Sequence, residues 1–243
     1  VLLEFSLSGF QKENLKICCN ITLNGQQILS TSQAITCQRE RIALSFEEQN
    51  AIYEFHYWTP ERPTLFDVEL VLLQDDLEVD TVQSYFGMRK VEYRNGMFLL
   101  NNTPYFQRLV LDQGYWKETL LTAPDDEALK NDILFAKQMG FNGCRKHQKI
   151  EEARFYYWAD KLGFLVWGEM PAAPRFGSQQ IYNVMREFME FIERDYNHPS
   201  LITWVPLNES WGVRNIYVDS QQQNFAAALY HTAKALDPIR LVS

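Results

Sequence analysis

The feature that most constrains this chain is a change of hydrophobic period at about Gly87. Before it, apolar residues recur at every second position: Ile17, Cys19, Ile21 and Leu23, then Ala51, Tyr53, Phe55 and Tyr57, then Phe66, Val68, Leu70 and Leu72. This is the pattern of strands with one buried face, because successive side chains of a strand point to opposite sides. Asn24-Gly25 separates two such runs and Asp75-Asp76 marks a second turn; Asn-Gly in particular supplies the positive φ angles of a tight hairpin. Residues 1–87 therefore predict a small β-sandwich. A barrel or an α+β sheet is the alternative, and the lack of any helical period across this stretch favours the sandwich.

After Gly87 a hairpin region, with Asn95-Gly96 and Asn101-Asn102, leads into short apolar runs that alternate with helical period. The stripe Leu129, Ile133, Ala136 starts behind Pro124-Asp125 and stops at Gly140, and the stripe Phe155, Ala159, Leu162 stops at Gly163. Two more follow: Ile181, Met185, Phe188, Ile192 ahead of Pro199, and Phe225, Leu229, Thr232, Leu236 ahead of Pro238. Strands are expected at about 105–111, 141–145, 164–169 and 201–207, with another starting near 239. Such βα units in series mean a parallel sheet under helical cover. A doubly wound sheet and a (β/α)8 barrel both fit, and no Gly-rich phosphate loop follows the first strand to favour the former. As a barrel, residues 88–243 are the first half of a fold that needs roughly 250 residues. The rest is then expected from elsewhere or from dimerisation, since an open half leaves sheet edges bare. The opening at Val1 and the stop at Leu241-Val242-Ser243, where a strand-like run begins, also read as a piece of something longer.

Composition narrows the function classes. Lysine and arginine number 23 against 31 acidic residues, a net charge of −8, which argues against a nucleic-acid partner. The hydrophobic fraction of 46% excludes a disordered chain. No apolar run approaches the ~18 residues of a membrane span. Cys18, Cys19 and Cys144 lie in apolar stretches and imply no disulfide framework, and no signal-peptide pattern opens the chain, so a cytoplasmic location is expected.

In a barrel the chemistry sits at the C-terminal ends of the strands. Those positions hold Asp112, Gln113, Tyr115 and Trp116, then Arg145 to Gln148, then Glu169, then Asn208, Glu209 and Trp211. Carboxylates, an amide and a guanidinium beside aromatic rings suit a sugar, whose ring faces stack while its hydroxyls bond. Taken singly, Glu209 is equally an ordinary glutamate at a helix start, Arg145 a partner for an internal carboxylate, and Trp167 and Trp204 packing residues or sugar platforms. Trp58 and Trp158 read as packing residues and His198, before a proline, as structural.

The run from Arg194 to Ser210, RDYNHPSLITWVPLNES, resembles the acid/base region of glycoside hydrolase family 2, the β-galactosidase and β-glucuronidase family. Tyr57-Trp58 to Phe66 and Phe86 to Arg89 resemble the end of that family's immunoglobulin-like domain, and Gly96 to Arg108 its entry into the barrel. Ala136 to Arg145, Tyr157 to Phe164 and Glu169 resemble its second and third barrel units. The resemblance implies an immunoglobulin-like β-sandwich followed by the N-terminal part of a (β/α)8 TIM barrel, from a retaining β-glycosidase acting on terminal β-O-glycosidic bonds, β-galactosidase-like. Glu209 matches the general acid/base and Asn208 the residue that bonds the 2-hydroxyl. Asp112, Arg145, His147, Glu169, Trp116 and Trp211 are the further candidate substrate contacts. The nucleophile implied is a glutamate on a later strand, beyond residue 243, so this chain alone is expected to be inactive.

The chain departs from the family pattern at Leu109 to Asp112, where Arg-Gly-Val-Asn is usual, at Lys146 to Lys149 in place of Ser-His-Tyr-Pro, and at Val205 to Leu207 before Asn208. No cofactor is expected. A magnesium ion between Glu169 and Glu209 ranks lowest, since no further ligands cluster with them. The expected partner is an oligosaccharide or β-glycoside, with a homo-oligomer allowed. Two other classes compete: a carbohydrate-binding or scaffolding protein on the same fold, against which the retained Asn208-Glu209 pair argues, and another retaining barrel glycosidase such as a β-glucuronidase, β-mannosidase, β-mannanase or cellulase.

Overall fold

The computed structural model of the protein describes residues 1–9, 14–45 and 56–243, and the chain divides into two compact units. One comprises Val1–Tyr57 with Thr64–Gly87, the other Trp58–Pro63 with Met88–Ser243. The apolar alternation from Ala51 to Phe55 lies outside the described residues.

The first unit contains β1 (Leu2–Ser6), β2 (Leu15–Leu23), β3 (Gln26–Ala34), β4 (Arg39–Ala43), β5 (Phe66–Gln74) and β6 (Leu77–Phe86). An antiparallel sheet in the order β3-β2-β5-β6 lies beside the antiparallel pair β1-β4. The period of two is visible in β2, where Ile17, Cys19, Ile21 and Leu23 are buried and the residues between them are not. Phe66 and Val68 of β5 and Ile42 of β4 complete this core, and Phe66 stacks on Phe86 with centroids 5.0 Å apart. Each fully buried isoleucine or phenylalanine here stabilises by roughly 1.5–3 kcal/mol. The turns behave as their residues dictate. Asn24 and Gly25 have φ of 51° and 79°, and Asp75 and Asp76 have 50° and 63°, both two-residue loops with two left-handed positions.

The second unit opens with a small antiparallel sheet of β7 (Val91–Arg94), β8 (Met97–Leu100) and β9 (Thr103–Pro104). Then follow β10 (Leu109–Asp112), α1 (Asp126–Gln138), β11 (Gly143–Lys146), α2 (Ala153–Leu162), β12 (Leu165–Glu169), α3 (Ser178–Asp195), β13 (Leu201–Val205), α4 (Ser220–Leu236) and β14 (Leu241–Val242). The five parallel strands neighbour one another in strict chain order, β10-β11-β12-β13-β14. A doubly wound sheet reverses its order at a switch point, whereas a barrel never does. Sequential order is therefore the observation that separates the two folds left open by helix and strand counts.

Local chemistry explains the boundaries. Asp125 caps α1 by accepting from Ala128 N–H at 2.8 Å, and Asp219 caps α4 by accepting from Gln221 N–H at 2.9 Å. Gly163 ends α2 at φ 70°, and a Cβ there would strike the Pro60 carbonyl. That contact, with the Trp58 indole N–H donating to the Asp160 carbonyl at 2.9 Å, packs Trp58–Pro63 into the second unit, although the sequence groups it with residues 1–87. The first parallel strand starts at Leu109, later than the sequence suggests. Asn142 holds the segment before it, accepting from Arg108 N–H at 2.7 Å and donating to the Phe106 carbonyl at 2.8 Å.

Beneath the helices lie Leu129, Ile133, Phe155, Val166, Phe188, Phe191, Trp204 and Leu229. Phe191 meets Trp204 edge to face at 5.0 Å, so the buried stripe of α3 runs through Val184, Phe188, Phe191 and Ile192, with Ile181 and Met185 at its margin. The turn before β13 is fixed by Asp160, which accepts from Ser200 N–H at 2.9 Å and meets His198 Nδ1 at 2.5 Å. All four cysteines are free thiols. No helix among the described residues is long and apolar enough to cross a membrane.

Candidate active site

Two neighbouring cations on β11 organise the C-terminal end of the parallel sheet. Strand residues alternate faces, so Arg145 and Lys146 point to opposite sides. Lys146 turns toward the helices, its ammonium 4.0 Å from the Phe155 ring centroid. Arg145 turns the other way and bridges strand ends.

Around Arg145, its Nε donates to Glu169 at the end of β12, and its Nη2 donates to Asn208 Oδ1 at 2.8 Å. Glu169 is fully buried and also accepts from Gln148 N–H at 2.8 Å, with His147 Nδ1 3.2 Å away. Arg145, His147, Glu169 and Asn208 thus form one connected group, and the Arg145 side chain keeps 31% of its surface open. Asn208 is buried, its amide oxygen fixed by the guanidinium. Glu209, the next residue, is exposed and adopts φ of 52°. A left-handed conformation in a residue with a long side chain costs about 1–2 kcal/mol and is retained where surroundings impose it, commonly at functional sites. Trp211 follows, with its N–H donating to the Asn208 carbonyl at 3.1 Å and its ring 43% exposed.

Asp112 and Trp116 go elsewhere. Asp112 Oδ1 accepts from Gly114 N–H at 2.8 Å and Oδ2 pairs with Lys146 at 2.6 Å, so both oxygens are engaged on the helix side of the sheet. Lys146 and Glu151 are both 0% exposed and pair at 2.8 Å. Burial disfavours the Lys146 ammonium, but Asp112 and Glu151 outweigh it and hold its pKa above the ordinary lysine value. Lys149 pairs with Glu151 at 3.0 Å, donates to the carbonyls of Gly114 and Leu121, and lies 4.8 Å from the Trp116 ring centroid. Trp116 is thereby a wall of this second cluster.

The pairing of Lys146, Glu151 and Lys149 escaped the sequence reading because lysine and glutamate ordinarily mark a solvated face. The usable signal was parity: Arg145 aimed at a site puts Lys146 under the helices, where it demands carboxylates. Glu169 accepts from the Arg145 guanidinium and from Gln148 N–H, and the guanidinium's charge opposes a divalent cation there. Among the described residues no group of three His, Cys, Asp or Glu side chains could hold a metal.

Comparison with known families matches residues 91–243 to the TIM barrel domain of glycosyl hydrolases family 2, and residues 3–89 to a second model of the same family. The chain belongs to glycosyl hydrolase family 2. Its first unit is the family's immunoglobulin-like domain, and its sequential parallel sheet is part of the family's TIM barrel. It is similar to a β-galactosidase of Vibrio cholerae, 28% identical over 226 residues, covering 89% of this chain and 21% of that protein. It is also similar to a β-glucuronidase of Streptococcus agalactiae, 28% identical over 177 residues, covering 64% of this chain and 29% of that protein. Among solved structures, Bacteroides uniformis β-glucuronidase 2, covalently bound to cyclophellitol-6-carboxylate aziridine, superposes with a TM-score of 0.81 at 25% identity over 99% of this chain and 30% of that one. The chain therefore spans under a third of the length of these family 2 relatives.

Proposed function

We propose that the protein carrying this chain is a retaining β-glycosidase in which Glu209 is the general acid/base. The observation that carries this is the pairing of a buried, guanidinium-held Asn208 with an exposed Glu209 in left-handed backbone at the end of β13. In the first step the Glu209 carboxyl gives its proton to the glycosidic oxygen as the bond to the anomeric carbon breaks, so that the aglycone leaves as a neutral alcohol. A carboxylate roughly 5–5.5 Å away attacks that carbon from the other face, and in the second step the Glu209 carboxylate takes a proton from the water that releases the sugar. On this reading the attacking carboxylate belongs to a strand beyond residue 243. Asn208, its amide oxygen occupied by Arg145, has its NH2 group left to donate to the sugar's 2-hydroxyl. The covalent capture of an aziridine by the Bacteroides uniformis relative supports the retaining course.

The names of the relatives support a β-galactoside or a β-glucuronide as substrate. The test is hydrolysis of aryl β-galactoside, glucuronide, glucoside and mannoside by the full-length protein, wild type beside Glu209→Ala. Activity on one sugar is expected to fall by about 10²–10⁴ in the variant, with azide restoring part of it on an activated aglycone. Silence of the folded wild type across the panel would move the reading to a carbohydrate-binding role.

A further inference from the structure

The loop after Glu209 presents more than an acid/base requires. It runs through successive turns, with Val213 N–H donating to the Ser210 carbonyl at 3.0 Å, Ile216 N–H to Val213 at 3.0 Å and Val218 N–H to Asn215 at 2.9 Å, and it is anchored by the buried Val213. This ordered loop nevertheless leaves Trp211 half exposed and Tyr217 88% exposed. The Arg214 guanidinium lies 5.0 Å from the Trp211 ring centroid and has no ion pair among the described residues. The loop is seated against the segment that leads from β12 into α3, since Gln180 Nε2 donates to the Gly212 carbonyl at 3.1 Å and a Cβ on Gly212 would lie 3.0 Å from the Ala173 carbonyl. That segment carries a second exposed arginine, Arg175, also without an ion pair among the described residues.

We infer that these two loops form a leaving-group subsite for an acidic sugar residue, with Trp211 as the ring platform and Arg214 and Arg175 as partners of its carboxylate or sulfate. The inference rests on the acid/base reading of Glu209. The proton donor stands at the scissile oxygen, so the group departing with that oxygen passes the residues next to the donor, and Trp211 is two positions on. Aromatic faces hold sugar rings without fixing their charge, whereas guanidinium groups bond carboxylate and sulfate oxygens in pairs.

The test uses full-length protein and two glycosides of whichever sugar the panel selects, one with an umbelliferyl and one with a 3-carboxyumbelliferyl leaving group. The ratio of kcat/KM, carboxylated over neutral, is expected to fall about fivefold in Arg214→Gln and further in Arg175→Gln/Arg214→Gln, while Arg186→Gln on α3 keeps the wild-type ratio. An unchanged ratio in the double variant overturns the subsite and leaves the acid/base reading intact. If wild type cleaves neither glycoside, the glycosidase reading fails by itself and takes the leaving-group role with it, and electrophoresis through gels containing polygalacturonate or neutral galactan then decides whether the two loops hold an acidic sugar. Retardation by polygalacturonate that Arg214→Gln abolishes supports it; equal mobility of the two proteins overturns it.

Discussion

Arg145 and Lys146 are one residue apart on one strand, yet the ion networks around them are finished to different degrees. The Lys146 network is the more enclosed: Lys146 and Glu151 have no exposed surface, and Asp112, 23% exposed, has both oxygens engaged. The Arg145 network is open on one side, with Asn208 holding an amide group in reserve and Glu209 exposed beside it. The difference teaches where to look for chemistry. A network whose charges pair with one another out of water serves to hold strands together, whereas one with a donor left over and water access can take a ligand in exchange.

The sharpest way to break this comparison is Lys146→Met, which takes the shared cation from Asp112 and from the buried Glu151, leaving Glu151 only Lys149. It is expected to cost about 3–5 kcal/mol of stability, read by denaturant unfolding of the full-length protein. A loss below about 1 kcal/mol would mean water reaches the cluster. Arg145→Met should act oppositely, lowering kcat/KM about 100-fold, close to 3 kcal/mol of transition-state stabilisation, with a smaller change in stability because Arg145 is already partly solvated and the buried Glu169 keeps its bond from Gln148 N–H. Equal stability losses in the two variants would erase the distinction. Lys149→Met removes the cation that ties Gly114 and Leu121 together, and should cost about 1–2 kcal/mol and speed proteolysis between those residues. The smallest effect is one of pH. Because its neighbours raise the Lys146 pKa in the folded protein, its contribution is complete below the unfolded value of about 10.4 and is lost as pH rises through the folded value. Stability of the wild type should therefore decline above about pH 10.4, and the decline should be shallower in Lys146→Met.

What was legible in the sequence follows how local the information is. Asn24-Gly25, Asn95-Gly96 and Asn101-Asn102 are self-contained signals, and each becomes a hairpin with two left-handed residues. The stripe of α1 is local too, and Leu129, Ile133 and Ala136 are buried as their spacing requires. The stripe of α3 was less legible, because what selects Phe191 is Gly168 on β12, whose missing side chain leaves room for that ring. At the site, Asn208, Glu209, Arg145 and Glu169 could be picked out as strand-end residues, but which of them touch could not. Asp112 shows why. Its position at a strand end was evident, whereas the face it takes depends on Lys146 and Glu151, which come from other parts of the chain. Lys146 itself was illegible, since nothing within a few residues shows that a lysine has two carboxylates waiting for it.

The chain-order pairing of β10 through β14 bears on how the protein is made. Each parallel pairing, Leu109 with Gly143 for example, closes a loop that contains a single helix, so no pairing waits on a distant part of the chain and the entropy of closure grows only slowly with the length of each connection. Nothing synthesised late has to insert between strands that have already met, because every new strand joins the edge left by its predecessor. A ribosome delivering residues from the N-terminus can therefore lay this sheet down in the order it emerges, with the Arg145–Glu169 contact available before Asn208 has been translated.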